Sequence, residues 1–129
     1  MGNARLYGLR GAVRCQNDVA DIGSRVAELY DALITGNGID EADVVSFIFS
    51  VTPDLNAANP AAELRKSGRG LSLALFAVAE APSEGALERV IRVLVHCYAE
   101  EGNAPRHAYL NGAEALRPDR AVRPGKRRG

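Results

Sequence analysis

Several things are scarce in this chain. Tryptophan is absent, and phenylalanine and tyrosine number three and four. The two cysteines, Cys15 and Cys97, show no CxxC or Cys/His spacing, so nothing supports a zinc site or any other metal. Neither charge is in excess: sixteen basic residues meet sixteen acidic ones, which weighs against a dedicated nucleic-acid binder. No apolar run approaches the roughly 20 residues needed to cross a membrane. With no signal peptide in view, both thiols read as reduced core residues of a cytoplasmic protein. GxSxG, P-loop, GxGxxG and HExxH are also missing.

What is present is an ordinary globular composition: 129 residues, 47% hydrophobic and 25% charged. That suits one domain with a real core. Residues 90–98 form its clearest strand, rich in β-branched and aromatic residues and free of Gly and Pro. A period of two puts Ile91, Val93, Val95 and Cys97 on one face. The other face receives Val90, Arg92, Leu94, His96 and Tyr98. Arg92 thus sits among largely apolar neighbours. A buried charge there needs a partner, either a protein carboxylate or an anionic ligand.

Residues 4–14 read as a strand interrupted by Gly8 and Gly11, with Leu6, Gly8, Arg10 and Ala12 on one face. The glycines around Arg10 suggest close backbone approach or a bulge. Asn17 is a candidate N-cap for an amphipathic helix through Val19, Ile22, Val26, Leu29, Tyr30 and Leu33, stopped at residues 36–38. One turn at 40–43 leads to a strand over 44–51, which residues 52–55 break. Asn59-Pro60 has the N-cap and first-turn chemistry of a short helix to Lys66, closed by Gly68. A strand over 71–78 ends beside Glu80. A loop with Pro82 and Gly85, a helical turn, the Arg92 strand, a turn at 102–105 and a short strand over 106–110 follow. The order β-α-β-α-β-β-β predicts a mixed α/β single domain, a mixed sheet with helices packed on one side.

Past Leu116 the charge becomes lopsided. Arg117, Arg120, Arg123, Lys126, Arg127 and Arg128 face one acid, Asp119, making that end +5 and the body −5. We expect a domain over residues 1–119 and a flexible, solvated basic tail over 120–129.

The remaining chemistry lies in Arg10, Arg65 and Arg92, one nearby carboxylate, Glu80, and Tyr109. Guanidiniums of this kind bind planar carboxylates through paired hydrogen bonds, and an acid among them orients a hydroxyl. The ligand implied is a small dianion carrying a hydroxyl. Without nucleophile or metal, catalysis would come from positioning and fixed electrostatics. His96 and His107 fall on different strands, and His96 reads as a core histidine rather than a base.

These residues carry a resemblance. Gly8-Leu9-Arg10-Gly11-Ala12, Ser50-Val51-Thr52-Pro53-Asp54-Leu55, Pro60-Ala61 with Arg65, Glu80 fifteen residues later, Val90-Ile91-Arg92-Val93, Arg106-His107-Ala108-Tyr109-Leu110 and Leu116-Arg117-Pro118-Asp119 come in the order of one family. The chain resembles the small homotrimeric α/β-barrel class of chorismate mutase over about residues 5–120. That resemblance implies a pseudo-α/β-barrel trimer with sites at subunit interfaces. The implied reaction is the Claisen rearrangement of chorismate to prephenate, with no cofactor and no covalent intermediate.

By the same resemblance Arg92, Glu80 and Arg10 are catalytic. Arg92 would meet the ether oxygen and a carboxylate, and Arg10, assisted by Tyr109, would hold a carboxylate. Glu80 would accept the ring hydroxyl. Leu75, Phe76, Ala77, Val78 and Ala79 would line the pocket with Asn59, Ala61 and Ala62. Arg65, Leu116 and Arg117 would close it across a subunit boundary. Three positions depart from the family's pattern: Asn59 replaces an aromatic, Ala62 a lysine, and Ala77 a hydrogen-bonding Cys or Ser. Loss of a charge-assisted bond implies binding weaker by ~1–3 kcal/mol. A chorismate analogue as substrate, a non-catalytic trimer binding an aromatic-pathway dianion, and a nucleic-acid binder driven by the tail are the competing expectations.

Overall fold

The computed structural model describes residues 3–117. Five strands form one mixed sheet: β1 (Ala4–Arg14), β2 (Val44–Val51), β3 (Leu75–Ala79), β4 (Val90–Glu100) and β5 (Ala108–Leu110), in the order β3-β2-β4-β1-β5. β4 is central and pairs antiparallel with both β1 and β2. β3 runs parallel to β2 and β5 parallel to β1. Helices α1 (Val19–Tyr30) and α2 (Pro60–Lys66) cover one face. This is the mixed α/β domain expected.

Alternation along each strand builds the layers. Leu9 and Val13, Phe47 and Phe49, and Ile91, Val93, Val95 and Cys97 are buried against Ile22, Val26 and Leu29 of α1 and Ala61 and Leu64 of α2. The Phe47 ring sits 5.2 Å from Phe49 and 5.9 Å from Tyr30, centroid to centroid. A Cβ on Gly11 would meet Leu33 Cδ1 at 2.9 Å and the Ala108 carbonyl at 3.0 Å, so the close approach expected near Arg10 occurs at Gly11. Gly8 has open space around its Cα. The bulge lies elsewhere, at Val45 in β2.

Local departures from expectation have tertiary causes. Asp18, not Asn17, caps α1, its carboxylate accepting from the Asp21 amide at 2.7 Å. Asn17 instead holds the loop before α2: its Oδ1 accepts from the amides of Asn56 and Ala57, both at 3.0 Å. Beyond Tyr30, α1 continues as a π turn, Asp31–Thr35.

β3 begins at Leu75 rather than residue 71, because Glu41 draws in the Gly70 amide and the Ser72 hydroxyl and Leu73 closes a turn on Gly70. Tyr30 also donates to Glu41, which holds that carboxylate below its ordinary value while burial and the same bond push the phenol up. No helical turn precedes β4: Arg89 has φ +52°, outside the helical region. β5 starts only at Ala108, since Asn37 takes both backbone groups of Arg106 and the Arg10 amide takes the His107 ring.

Candidate active site

The second face of the sheet carries Arg10, Arg92 and Tyr109. Register places Val78, Ser50, Arg92, Ala12 and Tyr109 in one row across all five strands. Arg10, two residues before Ala12, is diagonal to Arg92 on this face. Most of the face is open, with Leu6, Phe76, Val78, Leu94 and Tyr98 exposed. One end is covered where Ala113 packs on Ala12 and Val90, with Leu87, Tyr109 and Leu116 around them. That cluster brings the 3-10 turn Glu114–Leu116 beside the Arg92 row.

Arg92 Nε lies 3.0 Å from Glu80 Oε2, with the arginine side chain 45% exposed and the glutamate 17%. Of the two partners expected for Arg92, a protein carboxylate is beside it, and the arginine is half exposed rather than buried. An ion pair this open contributes only about 0–1 kcal/mol, so stability does not account for it. Among the described residues Arg92 is engaged through Nε, which leaves its terminal nitrogens available for a paired contact with a carboxylate.

Glu80 is held from two sides. Its amide donates to the Val51 carbonyl at 2.8 Å, and Ser50 Oγ donates to its Oε1 at 2.8 Å. Ser50 was absent from the expected site residues. Strand alternation puts it on the open face, and only the register sets it directly opposite Arg92.

The other expected residues divide by layer. Arg10, Tyr109, Phe76, Val78, Leu116 and Arg117 belong to the open side or its rim, and the Arg10 guanidinium makes no ion pair among the described residues. Leu75 and Ala77 turn their side chains to the core, and Ala79 is exposed at the strand end. Asn59, Ala61, Ala62 and Arg65 sit on α2 or at its start, in the layer across the sheet from Arg92. Asn59 Oδ1 is occupied as N-cap, accepting from the Ala61 amide at 2.9 Å, and Ala61 is buried. Within one chain, therefore, Arg65 and Arg92 do not converge. Pro118, Asp119 and the tail expected from residue 120 lie outside the described residues.

A cavity of about 330 Å³ lies elsewhere, lined by Arg14, Cys15, Gln16, Asp21, Arg25, Arg89 and Asn111. Burial, helped by Asp21, pushes the Cys15 thiol up to about 11, leaving it protonated near neutrality. Cys97 is pushed up by burial as well, and both thiols are free. Among the described residues, no three His, Cys, Asp or Glu gather as a metal site, and no helix is long and apolar enough to cross a membrane.

Arg92 thus stands between the Glu80 carboxylate and Arg10 on the strands of one sheet face, an arrangement of charge suited to an anion that carries a hydroxyl. The chorismate mutase type I family model matches residues 6–120. Chorismate mutase AroH of Thermus thermophilus is 36% identical over 115 residues, covering 87% of this chain and 93% of that protein. The Bacillus subtilis (strain 168) chorismate mutase AroH is 31% identical over 116 residues, 88% of this chain and 91% of that one. A solved chorismate mutase from Clostridium thermocellum superimposes with a TM-score of 0.79 at 37% identity, covering 85% of this chain and 99% of that one. The chain belongs to the chorismate mutase type I family, an isomerase family.

Proposed function

We propose that Arg92, Glu80 and Arg10 carry the family's reaction, chorismate to prephenate, in this chain. The observation that carries the assignment is the Arg92–Glu80 pair, half open on a rigid strand face with Arg10 diagonal to it. In the rearrangement the ether C–O bond breaks as a C–C bond forms, and negative charge grows on the ether oxygen. Arg92 donates to that oxygen and to a carboxylate. A cation placed there stabilises the transition state more than the substrate, because the charge it meets is larger in the transition state. Glu80 accepts the ring hydroxyl and holds the compact conformer, with Ser50 fixing its second oxygen. Arg10 and Tyr109 hold a carboxylate. These residues act without a cofactor.

The site is completed, on this reading, in a homotrimer. Two observations support it. Arg65 and the Asn59–Ala62 stretch sit in the layer opposite Arg92, so one chain does not supply both walls. The open sheet face also presents a run of apolar side chains, among them Phe76 at 64% exposed, of a kind that marks interaction surfaces. A neighbouring subunit would supply Arg65 and receive this chain's Leu116–Arg117 rim as a closure. We place the protein in the cytoplasm, consistent with its two free thiols. We read the domain as residues 1–119.

Purified protein mixed with chorismate should consume the substrate's diene absorbance and yield prephenate. No turnover at saturating chorismate would sink the assignment. Phe76→Glu should lower the mass seen by light scattering from three chains to one. A single-chain mass for the unaltered protein would contradict the trimer.

A further inference from the structure

We propose that Thr52 and Asp54 are positioning residues for Arg92, an inference that rests on the role just given to that arginine. The segment from Ser50 to Asp54 touches both members of the ion pair. At its start, Ser50 Oγ and the Val51 carbonyl hold the carboxylate and amide of Glu80. At its end, Thr52 and Asp54 hold the entry to β4. Thr52 is 6% exposed, the one buried polar or charged residue among those described. Its amide donates to the Val90 carbonyl at 3.1 Å, and its Oγ1 accepts from the Val90 amide at 3.0 Å. Both backbone groups of the residue two before Arg92 are thereby occupied by one threonine.

Asp54 continues the chain of contacts. Its Oδ1 accepts from Thr52 Oγ1 at 2.6 Å, which orients the hydroxyl so that a lone pair faces Val90. Both carboxylate oxygens lie 3.1 Å from the Arg89 amide. Arg89 has φ +52°, a conformation unfavourable for any residue that carries a Cβ. A charged acceptor on its own N–H favours that turn, and the turn sends Ile91 and Arg92 into register opposite Val51 and Ser50. One five-residue segment therefore sets where Glu80 and Arg92 stand relative to each other. The backbone amide of Arg89 supplies the contact to Asp54. Its side chain instead faces Glu88 and the cavity.

The test compares Asp54→Ala, Thr52→Val, Arg89→Gly and the double variant Asp54→Ala/Arg89→Gly with the unaltered enzyme. All are assayed well below their unfolding midpoints and corrected for folded fraction. Displacing a reacting group by a fraction of an ångström to one ångström should lower kcat of Asp54→Ala on the order of tenfold to hundredfold, with KM changed much less. Thr52→Val should behave alike, and Thr52→Ser, which keeps the hydroxyl, should restore kcat should the valine variant fold poorly. Glycine adopts positive φ without needing the carboxylate, so Arg89→Gly should recover most of the kcat lost in Asp54→Ala.

A wild-type kcat per folded Asp54→Ala molecule, with only a lower melting temperature, would overturn the inference. So would a double variant as slow as Asp54→Ala alone. Amide hydrogen exchange at Arg89 and Val90 provides a readout independent of activity: Asp54→Ala should speed it, and unchanged exchange would overturn the pinning. If the unaltered protein lacks turnover, it is the role of Arg92 that falls. The exchange result then supports or overturns the pinning by itself.

Discussion

β4 presents two faces that differ completely in what they do. Ile91, Val93, Val95 and Cys97 point into the core and are buried, whereas Arg92, Leu94 and Tyr98 point the other way and are exposed. The residues of one face alternate with those of the other along a single backbone. The buried face supplies the rigidity and the open face the charge. A guanidinium on a loop would have to be ordered by its substrate; Arg92 is ordered beforehand by the packing of Ile91 and Val93 beneath it. Preorganisation of this kind is where electrostatic catalysis gains its advantage.

The sharpest way to break the comparison is to strike each face separately. Phe47→Ala removes a fully buried ring that meets Phe49 and Tyr30, and should cost about 3–5 kcal/mol in urea unfolding. Arg92→Lys should do the reverse. It lowers kcat on the order of a hundredfold to a thousandfold, while the unfolding midpoint barely moves because the Glu80 pair is half exposed. A large stability loss in Arg92→Lys would mean that the open face is structural after all. Gly11→Ala tests the closed face more finely. Its Cβ would press on Leu33 and Leu29 and on the Ala108 carbonyl, and the backbone oxygen yields least. The expected cost is about 1–3 kcal/mol, measured by thermal melting; a melting temperature equal to wild type would contradict the packing described.

The smallest effect belongs to Glu41, in the turn before β2. The Tyr30 hydroxyl, more than the Ser72 and Gly70 donors, holds Glu41 below its ordinary value of 4.5. A carboxylate depressed in the folded state contributes stability above its unfolded pKa and loses it as pH falls through the folded one. The stability difference between wild type and Glu41→Gln should therefore be greatest above pH 4.5 and shrink on acidification. A difference that stays constant with pH would contradict this.

Legibility followed the range of the interactions. Strands β1, β2 and β4 were readable because a period of two, sustained over many residues, is a local record of which face is buried. The α2 cap at Asn59 was readable for the same reason, since cap and capped amides are adjacent. Asn17 was misread because its partners, Asn56 and Ala57, are about forty residues away. The start of β3 and the turn before β4 were misplaced because Glu41 and Asp54, distant in sequence, hold those backbones. Arg10, Glu80, Arg92 and Tyr109 were singled out through a family resemblance joined to the pattern of faces. Ser50 went unnoticed because a serine in a strand carries no chemistry until its cross-strand neighbour is known.

The amino-acid sequence by itself determined the alternation of β4, the amphipathic α1, the mixed α/β class and a set of arginines suited to a dianion, because each depends on residue type and short spacing. Only the tertiary structure decided that Arg92 stands half open beside Glu80, that Arg65 lies across the sheet from both, and that residues 50–54 hold the pair in register. Those are distances between strands, and they depend on which segments the core brings together.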